Sequence, residues 1–421
     1  MPTENINTDS VYRSSLPKTT GEAKYVSDIR LPDCLYGHVV RSPHAHAKIL
    51  NINVDAARHT PGVEAVMTAK DIPGLNRLGK TRFDQPILSD DKVRSYLDAV
   101  VLIAAEDEQA AKEAENKIEW EFELLPSIFS IEKATEPGAV LVHQDRPGNI
   151  LKNIKLGVGN ISVGFNDADL VFEESYKTPA IEHSYFEMDT GLISKDPSGI
   201  YTIWVGCHTV YSERMIAAAT LDIDEDRIIV IQPYTGGSFG GKDDGLLTAY
   251  LALLAYHTHR PVRISFSRHE EFIAHTKRHA QWIDLKMGLQ NDGRITAVRF
   301  NIQSDTGAYA HWAEGTFTFA SIGASGPYNI PHQKVDTTLV YTNNIPMGAM
   351  RAWGMPGVTF AMESHLDQAA NKLGIHPLVL RWKNAAVKGD LMITGSPFPD
   401  GIYMKETIEA AAEKAGIKLQ T

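Results

Sequence analysis

Apolar residues recur every second position in some segments of the chain, as in strands, and with the longer period of a helix in others. From Ile118 to Leu124, apolar residues alternate with glutamates, which predicts a strand with one buried face. Short β-branched runs predict further strands at 37–41, 200–205, 227–232 and 262–266, and helices are expected at 106–114 and 246–256. Because 246–256 is almost entirely apolar, we expect a buried helix there, and the chain as a whole is predicted to be α+β.

Turn signals add two boundaries to this pattern. Asn291-Asp-Gly293 predicts a hairpin turn ahead of a strand at 294–300. Gly374, followed by Pro377, is typical of the end of a helix.

Composition divides the chain into four regions. Residues 1–20 are polar and are expected to form an amino-terminal arm. Prolines and glycines recur in 127–155, which predicts a linker between two larger regions, 21–126 and 156–421. A chain of 421 residues is long enough for two or three domains.

Charge and cysteine content restrict the class of function. The net charge of −11 argues against nucleic-acid binding, which needs a basic face. Two cysteines, Cys34 and Cys207, cannot build a four-thiolate iron–sulfur site, so electrons from any redox reaction would have to leave through another chain. No secretory signal and no apolar stretch of membrane-spanning length are visible, so we expect a cytoplasmic location without membrane association.

The most informative motif is Gly236-Gly-Ser-Phe-Gly-Gly-Lys242, which lies between a predicted strand and the predicted apolar helix. Glycines remove Cβ atoms, so backbone N–H groups can approach a bulky or anionic ligand closely. The spacing also satisfies a phosphate loop, but the motif then needs Ser or Thr at the position of Asp243 to bind Mg²⁺. A carboxylate there would repel phosphate, which argues against a nucleotide triphosphatase.

The same motif resembles the Gly-Gly-Gly-Phe-Gly-Gly-Lys signature of the molybdenum-pterin subunits of the xanthine dehydrogenase and aldehyde oxidoreductase family. Three other segments are similar to family segments, in the same order: Arg41-Ser-Pro-His-Ala-His-Ala47, Glu182-His183 through Glu187, and Met350-Arg-Ala-Trp-Gly354. The resemblance implies an α/β hammerhead domain at 21–126, followed at 156–421 by the first half of the molybdopterin-binding domain. The resemblance implies a subunit of the split type, because the family's molybdenum-binding unit is usually nearly twice as long as this chain of 421 residues.

The resemblance also implies cofactors and partner chains. Molybdopterin with molybdenum is expected here, in the cytosine dinucleotide form. Expected partners are a second molybdopterin subunit with a glutamate general base, an FAD subunit and an iron–sulfur subunit with two clusters. The implied reaction inserts water-derived oxygen at an electron-poor carbon of a small N-heteroaromatic or aldehyde substrate.

Roles for individual residues follow from the resemblance as well. Molybdenum would be held by the pterin, so no side chain is expected as a metal ligand. Backbone N–H groups of Phe239 and Gly240 are expected to donate to a molybdenum oxygen. Arg351 and Asp243 are expected to take part in catalysis, and Phe319 and Trp353 to line the substrate pocket. The cofactor-binding residues implied are His208, Gly237, Phe239, Gly240 and Arg351.

Several positions at or near the expected site depart from the family pattern. His208 stands where a Gln is usual, and Ala352 where a Gly is usual. Asp243 stands where purine-oxidising members have a substrate-facing Glu, and Phe319 lies near the position of their substrate-binding Arg. An apolar side chain there argues against xanthine as the substrate.

Two alternatives remain open from the residues alone. The chain is either a working subunit, which Phe239, Gly240 and Arg351 favour, or a scaffold or degenerate subunit, which His208 and Ala352 favour. Without the resemblance, Phe239 and Trp353 are typical of ordinary core packing.

Overall fold

A computed structural model describes residues 15–419 of the chain. Most of the expected amino-terminal arm lies outside these residues. No helix within 15–419 combines the length and apolar character needed to cross a membrane.

Helices and strands alternate irregularly along the described residues. The helices are α1 (Ser15–Thr20), α2 (Asp55–Arg58), α3 (Glu108–Glu115), α4 (Ile131–Ala134), α5 (Ile161–Asn166), α6 (Val210–Leu221), α7 (Leu246–Thr258), α8 (Arg268–Ala274), α9 (Ala313–Gly323), α10 (Met355–Leu373), α11 (Pro377–Asn384) and α12 (Met404–Ala415). The strands are β1 (Leu35–Arg41), β2 (Ala47–Asn53), β3 (Val63–Met67), β4 (Lys92–Val93), β5 (Ala99–Ala105), β6 (Glu119–Leu124), β7 (Ile150–Val158), β8 (Leu170–Thr178), β9 (Thr190–Lys195), β10 (Tyr201–Val205), β11 (Ile228–Ile231), β12 (Val262–Ser265), β13 (Lys277–Arg278), β14 (Gln281–Leu289), β15 (Ile295–Gly307), β16 (His332–Tyr341) and β17 (Met347–Gly348).

These elements belong to two compact units that interleave along the sequence. The first unit contains residues 15–78, 86–124 and 184–275. The second contains residues 79–85, 125–183 and 276–419. Segments distant in sequence therefore complete each unit.

The first unit is built on a seven-stranded mixed sheet in the order β11-β10-β9-β12-β1-β5-β3, with a smaller sheet in the order β4-β2-β6. Helix α7 packs on the larger sheet and is buried along nearly its whole length, as its apolar sequence predicts. Gly191 on β9 permits this close approach, because a Cβ atom there would lie 2.3 Å from Cδ1 of Leu251 on the helix.

The second unit is built on a five-stranded sheet in the order β7-β16-β15-β14-β8. β14 and β15 form the predicted hairpin, and Gly293 in their turn has a φ of +91°. Helices α9 and α10 contribute to the same core, and α10 ends at Gly374 with a φ of +66°, as expected from the sequence.

The α+β class predicted from the sequence is confirmed. Within the range expected to form a linker, 127–155, the structure has α4 and the first six residues of β7. β7 pairs with β16 along nearly its whole length, so this segment supplies an edge strand of the second unit.

Candidate active site

The glycine-rich segment of the first unit links β11 to α7. Gly237 and Gly240 both have a φ of +106°, which other residues rarely adopt. Between them, Phe239 has a φ of +53° and a side chain that is 48% exposed. A bulky residue in this left-handed conformation is strained, and such strain is concentrated at functional sites.

One carboxylate holds both ends of this loop. Glu187 Oε2 accepts a hydrogen bond from the Gly236 N–H at 2.7 Å and another from Lys242 Nζ at 2.8 Å. The Lys242 side chain is only 1% exposed and lies over the Tyr185 ring, 4.8 Å from its centroid. Gly236 permits this contact, since a Cβ atom there would lie 2.5 Å from Cβ of Glu187. A phosphate-loop lysine must reach the phosphates of its ligand, whereas Lys242 is buried in an ion pair with Glu187. This contact therefore also argues against a phosphate loop.

Buried charged groups continue below the loop. Asp189 lies 3.6 Å from Lys242 Nζ and 3.3 Å from His275 Nε2, and Asp244 lies 3.4 Å from His275 Nδ1. Burial raises the pKa of Asp189, while the nearby His275 and Lys242 charges oppose that rise in pKa. The loop therefore packs against a buried polar network. The sequence motifs had identified Glu187 and Lys242 of this network, but not Asp189, Asp244 and His275.

His208 and Asp243 differ in their exposure. His208 is exposed and lies beside the loop, where its N–H donates to the Lys242 carbonyl at 2.9 Å. Asp243 is buried with 6% exposure, close to Cys207. Burial, together with the Glu213 and Asp243 carboxylates, raises the pKa of the Cys207 thiol to about 12. First-unit residues predicted for the site thus lie on one loop and the segment beside it.

The second unit contains the segment around Arg351. Ala352 and Trp353 both have positive φ values, +66° and +53°. The Trp353 N–H donates to the Met350 carbonyl at 2.6 Å, so residues 350–353 form a tight turn. Arg278 donates to the Arg351 carbonyl at 2.9 Å and to the Trp353 carbonyl at 2.8 Å. Sequence reasoning missed Arg278, because backbone carbonyls as partners leave no sequence signal.

Three aromatic rings of the second unit are adjacent. The Trp353 ring centroid lies 6.0 Å from that of Phe319 and 5.5 Å from that of Trp312. Phe319 is 55% exposed and Trp353 is 36% exposed, so both retain accessible faces. The structure therefore brings together Phe319, Trp353 and Arg351, the second-unit residues predicted for the site.

Buried histidines support the chain just before this turn. His183 Nε2 lies 2.8 Å from the Ala349 carbonyl oxygen, and both residues are buried. His279 is completely enclosed, and burial lowers its pKa to about 3. The His183 ring and the Arg278 guanidinium therefore fix the backbone on either side of Met350.

Comparisons with known proteins identify the family. A family model of the molybdopterin cofactor-binding domain matches residues 142–385, and a model of the aldehyde oxidase and xanthine dehydrogenase a/b hammerhead domain matches residues 20–126. The chain belongs to the xanthine dehydrogenase and aldehyde oxidase family. The family resemblance inferred from the motifs is therefore confirmed, together with the hammerhead and molybdopterin-binding domains.

Relatives within this xanthine dehydrogenase and aldehyde oxidase family differ in length. The nicotinate dehydrogenase large molybdopterin subunit of Eubacterium barkeri is 37% identical over 97% of this chain and 96% of that protein. A probable xanthine dehydrogenase subunit of Bacillus subtilis (strain 168) is 40% identical over 89% of this chain, but the match spans only 50% of that protein. Aldehyde oxidoreductase from Desulfovibrio desulfuricans ATCC 27774 has a TM-score of 0.90 and 26% identity, over 96% of this chain and 46% of that one.

Both predicted segments fit the cofactor of the family. Among residues 15–419, the Phe239 N–H has no acceptor, and the Arg351 side chain has no ion-pair or hydrogen-bond partner. Each segment by itself therefore offers one group suited to an oxygen-rich anionic ligand, a backbone donor at Phe239 and a positive charge at Arg351. The Gly240 N–H is directed at Ser238 Oγ over 3.4 Å, a long hydrogen bond that leaves it weakly committed.

Proposed function

We propose that this chain is the large molybdopterin-binding subunit of a multi-subunit molybdenum hydroxylase. In this proposal, the enzyme adds water-derived oxygen to an electron-poor carbon of an N-heteroaromatic or aldehyde substrate. The observation that supports the proposal most is the correspondence, over nearly the full length of both chains, with a protein named as a nicotinate dehydrogenase large molybdopterin subunit. Strained loops at both motif segments support a working site rather than a scaffold.

Molybdopterin, in the cytosine dinucleotide form, would supply redox and oxygen-transfer chemistry when bound. The chain's own residues would bind and orient the reactants. The Phe239 N–H would donate to an oxygen of the cofactor, with Gly237 and Gly240 giving the backbone its shape. His208, exposed beside the loop, would donate through a ring nitrogen to a cofactor oxygen, a role for which the family resemblance implies a glutamine.

Substrate binding is assigned to the second-unit segment. Trp353 and Phe319 offer exposed aromatic faces, on which a planar ring can stack. Arg351 would place a fixed positive charge beside the reacting atoms, since its guanidinium is uncommitted within the described chain. Because Phe319 is apolar, a purine such as xanthine would lack a cationic partner at this position. We therefore propose a simpler aromatic N-heterocycle or an aldehyde.

Partner chains complete the proposal. The name of the Eubacterium relative, a large molybdopterin subunit, supports a second molybdopterin subunit, to which we assign the glutamate general base. An FAD subunit and an iron–sulfur subunit with two clusters would carry the electrons away. The catalytic role proposed for Asp243 would have to be carried out by a buried carboxylate, since this residue is only 6% exposed. A cytoplasmic location stays a prediction.

The test is to purify the assembled complex from its native host and measure molybdenum per copy of this chain. We expect about one molybdenum per chain, oxidation of nicotinate or of an aromatic aldehyde, and slow turnover of xanthine. Arg351→Ala should reduce kcat/KM by about 100-fold or more, consistent with loss of a charge that stabilises the transition state. Arg299→Ala, which removes an exposed arginine from β15, is the matched control. A metal-free complex, or full activity in Arg351→Ala, would contradict the proposal.

A further inference from the structure

The turn at 350–353 places two consecutive non-glycine residues in the left-handed region. Ala352 has a φ of +66° and Trp353 a φ of +53°. Side chains with a Cβ atom disfavour this conformation, and a bulky side chain disfavours it strongly. The turn bond from the Trp353 N–H to the Met350 carbonyl would form equally well in a turn without strain, so other contacts must hold this conformation.

Arg278 is fixed directly beside this turn. Its strand, β13, pairs in parallel with β17, which places Arg278 opposite Gly348. Its N–H donates to the Ile181 carbonyl at 2.9 Å, so the backbone of Arg278 is held from a second side. The guanidinium then reaches the two carbonyls that flank the strained pair, those of Arg351 and Trp353, at 2.9 and 2.8 Å.

These two carbonyls are the only acceptors of the Arg278 side chain among residues 15–419, and no carboxylate there pairs with it. An arginine that served solubility or an ion pair would not be half-buried without an acidic partner. Its planar fork instead directs two N–H groups of fixed geometry at the two carbonyl oxygens, whereas a lysine ammonium is a point charge on a flexible stem.

We propose that Arg278 is a positioning residue that holds the left-handed turn at Ala352 and Trp353 and thereby sets the direction of the Arg351 side chain. The need for such a residue arises from Ala352, because a glycine at this position would adopt the same φ without strain. Arg278 and Ala352 are therefore energetically coupled, and loss of Arg278 is tolerated better when position 352 is glycine. Its effect on catalysis rests on the proposed function, whereas its effect on the turn does not.

Hydrogen–deuterium exchange of the full chain tests the turn directly. The four chains to compare are the unchanged protein, Arg278→Gln, Ala352→Gly and the double variant. In Arg278→Gln, exchange of the Trp353 amide should accelerate about tenfold, which corresponds to about 1.4 kcal/mol, because release of strain opens the turn. In the Ala352→Gly background, the same change should accelerate exchange about threefold or less.

Equal acceleration in both backgrounds would overturn the proposal, since it would mean that Arg278 does not counteract strain at Ala352. Arg278→Lys serves if the Gln variant fails to fold, and it should give an intermediate rate because its ammonium keeps the charge but lacks the rigid fork. Arg299→Gln is the matched surface control and should leave the Trp353 amide unchanged.

A second readout links the turn to Arg351. In the assembled complex, Arg278→Lys should lower kcat/KM about tenfold, and Ala352→Gly added to it should restore most of that loss. If the exchange result holds but the kinetic rescue fails, Arg278 shapes the turn without positioning Arg351 and that part of the proposal is wrong. If the complex proves inactive, the exchange experiment still decides the proposal on the turn.

Discussion

Phe239 and Trp353 are large aromatic residues with positive φ, and each lies in a segment that the motifs had singled out. Bulky side chains in the left-handed region cost on the order of 1–3 kcal/mol each, so a fold retains them only where neighbouring contacts hold them. In the first unit those contacts come from Glu187 and Lys242, and in the second from Arg278.

The Lys242 ion pair gives a prediction at the residue scale. Lys242→Met should lower the free energy of unfolding by about 3–5 kcal/mol, because it leaves buried carboxylates without their cation. A urea titration of the full chain measures this loss. Lys48→Met removes an exposed ion pair with Glu123 and should cost less than about 1 kcal/mol. Equal losses in the two variants would show that burial does not strengthen the role of Lys242.

The sequence identifies residues of the candidate site, but it does not reveal the contacts that hold them. The motifs pointed to Phe239 and Arg351, and the structure places both in strained or uncommitted surroundings. The hydrogen bond from the Gly236 N–H to Glu187 joins residues 49 positions apart, and that from Arg278 to the Arg351 carbonyl joins residues 73 positions apart. Neither distance has a period or spacing that a single sequence displays. The catalytic roles themselves stay predictions.

At the scale of elements, helices and strands with a clear period were predicted well. Helix α7 and the β14–β15 hairpin follow from apolar content and from an Asn-Asp-Gly turn. The two-residue strands β13 and β17 were not predicted, because two residues cannot display a period. The first six residues of β7 lie in the range assigned to a linker, an interpretation that rested on the prolines and glycines of 127–155.

Packing of α7 on β9 gives a prediction at this scale. Gly191→Ala should lower the free energy of unfolding by about 1–3 kcal/mol, because the added Cβ atom would overlap the fully buried Leu251 side chain and force a shift in a packed core. Thermal unfolding of the full chain measures the loss. Gly315→Ala, whose Cβ atom would meet its neighbours at 3.4 Å or more within a helix, should be neutral or slightly stabilising. A neutral Gly191→Ala variant would contradict the close packing.

At the scale of the whole molecule, buried histidines set the response to acid. Burial lowers the pKa of His279 to about 3 and that of His365 to about 4. The unfolded chain takes up these protons near pH 6.5, whereas the folded chain does not, so stability falls as the pH falls below 6.5. Histidines 279 and 365 both belong to the second unit, which should therefore unfold first in acid.

We expect His279 alone to cost about 2 kcal/mol of stability between pH 7 and pH 5. Urea titrations of the full chain at the two pH values measure this difference. His279→Gln should reduce the loss by a similar amount, since glutamine does not titrate. His59→Gln, at an exposed position, should leave the pH dependence as it is. If both variants lose stability as the unchanged chain does, the neutral state of His279 is not what limits stability in acid.

The position of β12 in the large sheet has a consequence for protein synthesis. β12 lies between β9 and β1, yet it begins at Val262, more than 220 residues after the end of β1. At about 5–20 residues per second, the ribosome needs on the order of ten seconds or more to make that stretch. During this time β1 presents an unpaired edge, and β9 presents another from the moment it is made, so other nascent chains can join them. We expect production in cells to depend on chaperones that cover these edges until β12 emerges.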